Sequence, residues 1–389
     1  MIKSMNTSGQ RGLFMKRKKV LFLTLLVAFS LFFLLEKSII PGFSSKPPFH
    51  KSFELIGKVI QLIQNDYVEE ASPDKIMKGA YKGLVDSLDT LSCYLDKNSV
   101  LRYRQSKEAN LKDIGLILFK IYGSFPQVVG IIENSPSEKK GVQLGDIISA
   151  IDGQSTLTMS LTETYFYLKD KDEIPLTLRI LRGDKTLEIE IERTQLFHES
   201  FSYSPLKSTS GILTIHQFYP PCTSIIKEKI LPRLMKEKKI LIIDLRNCYE
   251  GDIEETRKFI NIFLKAQRIG YLKMRDGNNK VLSCPDNAEL EMLPVGIWTN
   301  QATIGPAEAV AGVLQEFKRA KIIGLSTLGL VAEQNFFPLG DGTGLLLTSG
   351  IFHLNSGKKL WENGIKPDTK IKNNNQDFST YLKKSLSSP

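Results

Sequence analysis

The sequence predicts an α/β (α+β) multidomain protein with an N-terminal membrane anchor, a helical hairpin, a β-barrel-like domain and an α/β layered core. Three observations predict it. An uncharged apolar run lies near the N-terminus, Val20 to Leu35. Short β-rich runs crowd residues 111–195. From residue 196 to 389 strand and helix patterns alternate, as in a layer built on a partly parallel sheet.

Composition sets the frame. The 389 residues suffice for two or three domains at roughly 150 residues each. Hydrophobic content of 42% and charged content of 24% exclude a disordered chain, a collagen-like fibre and a polytopic membrane protein. The net charge of +10 first suggests a nucleic-acid partner. Its distribution argues against one. Lys3, Arg11, Lys16, Arg17, Lys18 and Lys19 contribute six of the ten charges, so the remaining 370 residues carry only +4.

Residues 1–19 therefore read as a basic cytoplasmic tail and 20–40 as a membrane segment. The strict run of 16 residues spans about 24 Å as a helix, slightly short of a roughly 30 Å hydrocarbon core. Lys19 and Lys37 extend it by snorkelling. An uncleaved signal anchor and a cleaved signal peptide both fit this pattern; no small-x-small cleavage site follows Leu35, which favours the anchor. Either leaves the N-terminus in the cytoplasm at the inner membrane and exports the body of the chain. Met15, directly before the basic cluster, is an alternative start.

Residues 41–110 form a linker and a helical region. PGFSSKPPFH is Pro/Ser-rich. Leu55, Val59, Leu62 and Ile63 then fall on one helical stripe. Ser72 and Pro73 start a second helix, with Ile76, Ala80, Leu84 and Leu88 as its buried face. Residues 111–195 hold about five strands; KTLEIEIER alternates cleanly, with Leu187, Ile189 and Ile191 inward. In 196–389, GILTIHQF, KILIIDLRN, VGIWTN and KIIG read as strands. TSIIKEKILPRLMKE, IEETRKFINIFLKA and GPAEAVAGVLQEFKRA read as helices. Cys93, Cys222, Cys248 and Cys284 contain no CxxC pair, so no metal site is expected. Buried free thiols are the default, although export would permit a disulfide.

Several motifs in order resemble the C-terminal processing peptidases, or tail-specific proteases, from about residue 53 to 370. LDTLSCYLD is similar to that family's LDPHSSYLD. NSPSEKKGVQLGDIISAIDG is similar to its PDZ segment, KILIIDLRN to its LILDLRNNPGG strand, AGVLQEFKRAKIIG to AGALQDHKRAVIVG, and NGIKPD to its GIKPD ending. The resemblance implies a PDZ domain over 111–195 and a serine–lysine protease core over 196–389, without a cofactor. It places a peptide-carboxylate loop at Ile114, Gly115, Leu116 and Ile117, where a glycine lets backbone N–H groups crowd round a carboxylate.

The chemistry departs from the family. Its nucleophile is the middle Ser of SASASE, its general base a Lys 25 positions on, and a Gln follows four residues later. A lysine serves as base only when neutral, which burial promotes. Here TIGPAE puts Gly305 at the nucleophile position, Leu330 at the base and Gln334 at the Gln. The family's NNPGG oxyanion segment becomes Asn247, Cys248, Tyr249, Glu250 and Gly251, where the Glu250 carboxylate would oppose developing negative charge. Thr303, Ser326, Thr327, Cys248, His198, His216 and His353 are the candidates for a relocated site; each reads as structural or exposed. The expectation is a catalytically inactive, membrane-anchored homologue that binds peptide or protein C-termini, as a homo-oligomer or beside an active paralogue. The alternatives are an active peptidase with a non-standard site, and a structural or regulatory subunit of such a paralogue.

Overall fold

The computed structural model describes residues 49–387 apart from 108–110, 173, 197–198, 207–209, 238–239 and 373–376. The Val20–Leu35 run and His198 lie outside the described residues. Among those described, no helix is long and apolar enough to cross a membrane. The chain divides into two units, residues 1–77 and 78–389.

In the first unit helix α1 (Phe49–Asp66) forms where the periodicity predicts it. Its apolar stripe is not covered: Leu55, Val59 and Leu62 are exposed. Helix α2 (Pro73–Asp86) starts at the predicted proline. Its expected buried face is corrected by the structure, because Leu84 and Leu88 are 61% and 64% exposed. Periodicity specifies a face; it does not supply a surface to cover it.

The second unit begins at Lys78, within α2, and continues with β1 (Cys93–Leu95) and α3 (Lys97–Gln105). Asp96 caps α3 by accepting from the Ser99 N–H. An antiparallel domain follows, made of β2 (Leu116–Phe119), β3 (Gln127–Ile131), α4 (Pro136–Lys139), β4 (Ile147–Ile151), β5 (Gln154–Ser155), α5 (Leu161–Leu168), β6 (Leu176–Arg182) and β7 (Lys185–Ile191). Its sheet runs β2-β3-β4-β6-β7, with β5 on β4. Ile114, Leu116, Leu118, Ile148, Leu178, Ile180 and Ile191 fill its core. Ser160 and Glu163 close α5 with a reciprocal capping box, which satisfies two N–H groups that the first turn leaves without partners.

The remaining elements are β8 (Phe201–Leu206), β9 (Ser210–Ile215), α6 (Cys222–Lys229), α7 (Leu231–Glu237), β10 (Ile240–Asp244), α8 (Ile253–Asn261), β11 (Ala266–Met274), β12 (Lys280–Cys284), β13 (Val295–Thr299), α9 (Pro306–Glu316), β14 (Ala320–Gly324), β15 (Ala332–Pro338), β16 (Gly344–Leu354), β17 (Thr369–Lys370) and α10 (Phe378–Ser387). The sequence reads α6 and α7 as one helix. The structure breaks it at Ile230, two residues before Pro232, whose ring and missing N–H do not continue a helix.

A six-stranded sheet runs β17-β14-β13-β10-β9-β8. Strands β9, β10, β13, β14 and β17 are parallel. Alternation sorts its side chains: Leu241, Ile243, Ile297 and Ile322 enter the large core with α6, α8 and α9. Ile242, Trp298 and Ile323 face Tyr381 of α10. A second sheet runs β1-β16-β11-β12, with β15 on β16. Parallel strands send all their carboxyl ends to one edge, and crevices form there. The loops after β10, β13 and β14 share that edge.

Candidate functional site

The loop from β13 into α9 carries Gly305, and the segment after β14 carries Leu330. The two lie side by side. A Cβ built on Gly305 would stand 3.7 Å from the Leu330 carbonyl oxygen. The tie between them is Glu308. Its buried carboxylate accepts from the N–H of Gly305 (3.0 Å), Gly329 (2.6 Å) and Leu330 (2.8 Å), and from the Thr327 hydroxyl. Burial holds this carboxyl above its ordinary value, and the four bonds offset that only in part. Gly305 sits at φ +58, ψ −115, a region that only glycine enters without strain. Gly329 is also required: a Cβ there would fall 2.6 Å from the Gly364 nitrogen. Neither the hydrogen of Gly305 nor the isobutyl group of Leu330 titrates or attacks a carbonyl.

The other candidates are accounted for by their partners. The Thr303 hydroxyl donates to the Leu245 carbonyl at 2.8 Å and accepts from the Asn300 N–H at 3.0 Å. Thr327 is held between Glu308 and the Ile365 N–H. Burial drives the Cys248 thiol far above its usual range, and its sulfur is fully covered. His216 is lowered by burial. His353 stacks on Tyr271 at 5.2 Å. Ser326 is exposed.

The loop after β10 joins this edge to the antiparallel domain. Asn247, at φ +59, donates its main-chain N–H to Asn300 Oδ1, accepts from Asn300 Nδ2 at its own Oδ1, and donates from Nδ2 to the Ile131 carbonyl at 2.9 Å. Ile117, Val129 and Ile132 of the domain pack with Ala302, Ile304 and Leu328 of the core. Gly130 permits the approach, since its Cβ would lie 2.3 Å from that of Ala302. Cys248 contributes its carbonyl, which accepts from the Ile304 N–H at 3.0 Å. Gly251 bridges Phe218, whose main chain leaves no room for a Cβ.

Glu250 reaches the antiparallel domain instead of the Gly305 position. It pairs with Lys169, which follows α5. Lys169 also lies 3.6 Å from Asp113. Burial acts to lower the Lys169 amine; Glu250, Tyr249 and Asp113 overcome it and hold the amine well above its ordinary value. Tyr165 and Tyr249 stack at 6.1 Å. These residues line a cleft of about 800 Å³ together with Gln195, Gln217, Tyr219 and Gln334. Gln334 donates to the Leu91 carbonyl at 2.8 Å.

Ile114, Gly115, Leu116 and Ile117 lie at the entry to β2 and are all buried. Sequence reasoning missed Asp113, Tyr165 and Lys169. The only local signal was an Asp one residue before Ile-Gly, a pattern in which a carboxylate binds the following N–H groups.

Residues 209–371 match peptidase family S41, and residues 127–182 match a PDZ domain. The chain is 26% identical over 319 residues to a probable CtpA-like serine protease of Staphylococcus aureus (strain bovine RF122 / ET3-1), covering 81% of this chain and 64% of that one. It is 27% identical over 312 residues to the protein of the same name from Staphylococcus haemolyticus (strain JCSC1435), covering 79% and 62%. The chain thus spans a little under two thirds of the length of these relatives. Its fold is similar to that of the photosystem II D1 C-terminal processing protease, with a TM-score of 0.69 and 18% identity over 82% of this chain and 86% of that one. The six-stranded layer of the core and the antiparallel domain agree with these matches: residues 209–371 form a peptidase family S41 domain and residues 127–182 a PDZ domain, in a fold similar to that of a C-terminal processing protease.

Proposed function

We propose that this chain is a non-hydrolysing member of its family that holds extended protein segments through its PDZ domain and the adjoining cleft. The observation that carries this reading is the pairing of Gly305 with Leu330, where a serine–lysine mechanism requires a hydroxyl and a neutral amine. Glu250 adds to it, because its carboxylate is committed to Lys169 and supplies no donor to an oxyanion. The cleft, with its tyrosines and glutamines, offers stacking surface and amide donors and acceptors to a polypeptide. The Val20–Leu35 run would anchor the chain in the inner membrane and place this cleft outside the cytoplasm. A homo-oligomer, or a complex with an active paralogue, would suit such a role.

The purified chain should release no fragments from fluorescein-labelled casein while raising its anisotropy on binding. Turnover that survives repeated purification and vanishes on changing one cleft residue would overturn the reading. Turnover gained by Gly305→Ser/Leu330→Lys would support the assignment of both positions.

A further inference from the structure

A PDZ fold recognises a peptide with two sets of main-chain groups. N–H donors before the second strand take the terminal carboxylate, and the free edge of that strand takes the ligand backbone. Among the described residues β2 is an edge strand, bonded to β3 on one side only. Groups of both sets are already engaged here, by side chains of the same molecule.

Asp113 fills the first. Its Oδ1 accepts from the Ile114 N–H at 2.6 Å and the Gly115 N–H at 3.1 Å. The second is filled by Tyr165 of α5. The Leu118 N–H donates to Tyr165 Oη at 2.8 Å, and that hydroxyl faces the Leu118 carbonyl at 3.4 Å. One phenol thus meets both main-chain groups that a ligand residue would use. The remaining Asp113 oxygen faces Lys169 at 3.6 Å and the Tyr249 hydroxyl at 3.5 Å. Lys169 is itself paired with Glu250, and its amine lies within 5.9 Å of the Tyr165 ring and 5.6 Å of the Tyr249 ring. A ligand carboxylate arriving at Ile114 and Gly115 would find the donors occupied, a like charge beside it and the nearest cation committed.

We infer that the peptide groove of this PDZ domain is filled from within, Asp113 replacing a ligand carboxylate and Tyr165 a ligand backbone. A protein segment held by this chain is therefore taken without selection for a free C-terminus. The second statement rests on the binding role proposed above; the first does not. Substitution at Gly115 would not test either, because a Cβ there falls 2.3 Å from that of Ser135 and the change would report on folding.

The test uses the full chain and one fluorescein-labelled ten-residue peptide ending in apolar residues, prepared as the free acid and as the amide. Wild type should bind the two forms within about twofold of each other. Asp113→Ala should tighten the acid alone, and Tyr165→Phe should tighten both, each by about tenfold, the scale of one hydrogen bond to a charged or buried group. Tyr165→Phe keeps the ring, so a folded gain-of-binding variant is in hand even if Asp113→Ala fails to fold. A wild type that prefers the acid by tenfold, or the absence of any gain in folded variants, would overturn the inference. If wild type binds neither form and a variant gains the acid, the filled groove stands and the proposed binding role falls.

Discussion

Glu250 of the protease-like core and Lys169 of the PDZ domain form an ion pair across the boundary between the two domains. Glu250 thereby ties the loop after β10 to the PDZ domain. Replacing Glu250 by Ala should leave the Lys169 amine buried with Asp113 alone. A loss of about 1–2 kcal/mol is expected, at the lower end for a partner removed from a charged hydrogen bond because the site is partly open to water. Hydrogen exchange at residues 114–118 should quicken together with the loss in denaturant midpoint. Unchanged exchange there would mean that the ion pair does not hold the PDZ domain in place.

Glu308 organises the region around Gly305 more strongly. Four donors end on one buried carboxylate. Glu308→Ala should lower stability by about 3 kcal/mol or more, because it leaves several buried N–H groups unpaired. Glu308→Gln keeps the size but turns one oxygen into a donor facing donors, so it should recover little of that loss. Urea unfolding of the three proteins tests this order.

Lys120 gives the fold a pH dependence. Its amine is buried, donating to the carbonyls of Thr156 (2.6 Å) and Leu157 (3.0 Å). Burial, aided by the nearby Lys82, lowers it from 10.5 to about 8. A neutral amine still has the two hydrogens these carbonyls accept. The folded pKa lies below the unfolded one, so the unfolded chain binds more protons between about 8 and 10.5. The contribution of this group to stability is complete above the unfolded pKa and is lost as pH falls through the folded one. Relative to Lys120→Met, wild type should therefore gain stability from pH 8 to pH 10. A difference between the two that is flat over this interval would remove Lys120 as its cause.

The four cysteines are free and buried. Burial pushes the thiols of Cys93 and Cys222 to about 12 and that of Cys284 to about 11. The thiolate is the reactive form. Ellman's reagent at pH 8 should label none of them in the native chain within minutes and all four in guanidinium. Fast labelling of native protein would place a thiol at the surface.

Much of this architecture was legible because it is written in local pattern. Ile240 to Ile243 is apolar throughout and became, with Asp244, a central parallel strand, buried on both faces except at Ile240. The clean alternation from Lys185 to Ile191 became β7. What was not legible depends on distant partners. Cys93 to Leu95 pairs with Leu346 to Gly344, a register that no local signal specifies. The same holds for Leu84 and Leu88, expected on a buried face and found exposed, Leu88 beyond the end of the helix. At the site, Gly305 and Leu330 were singled out by a resemblance in sequence, whereas the connection of Asp113 to Tyr249 and of Glu250 to Lys169 required the folded chain. A charged residue near a former oxyanion segment reads from sequence as repulsion. Only geometry shows that it turns away to meet a cation.

The backbone at Gly305 has a consequence for any side chain built there. The angles φ +58 and ψ −115 are free of penalty for glycine and cost any other residue about 1–3 kcal/mol. A hydroxyl added at this turn would thus start from a strained backbone, and a stable fold alone favours keeping the glycine.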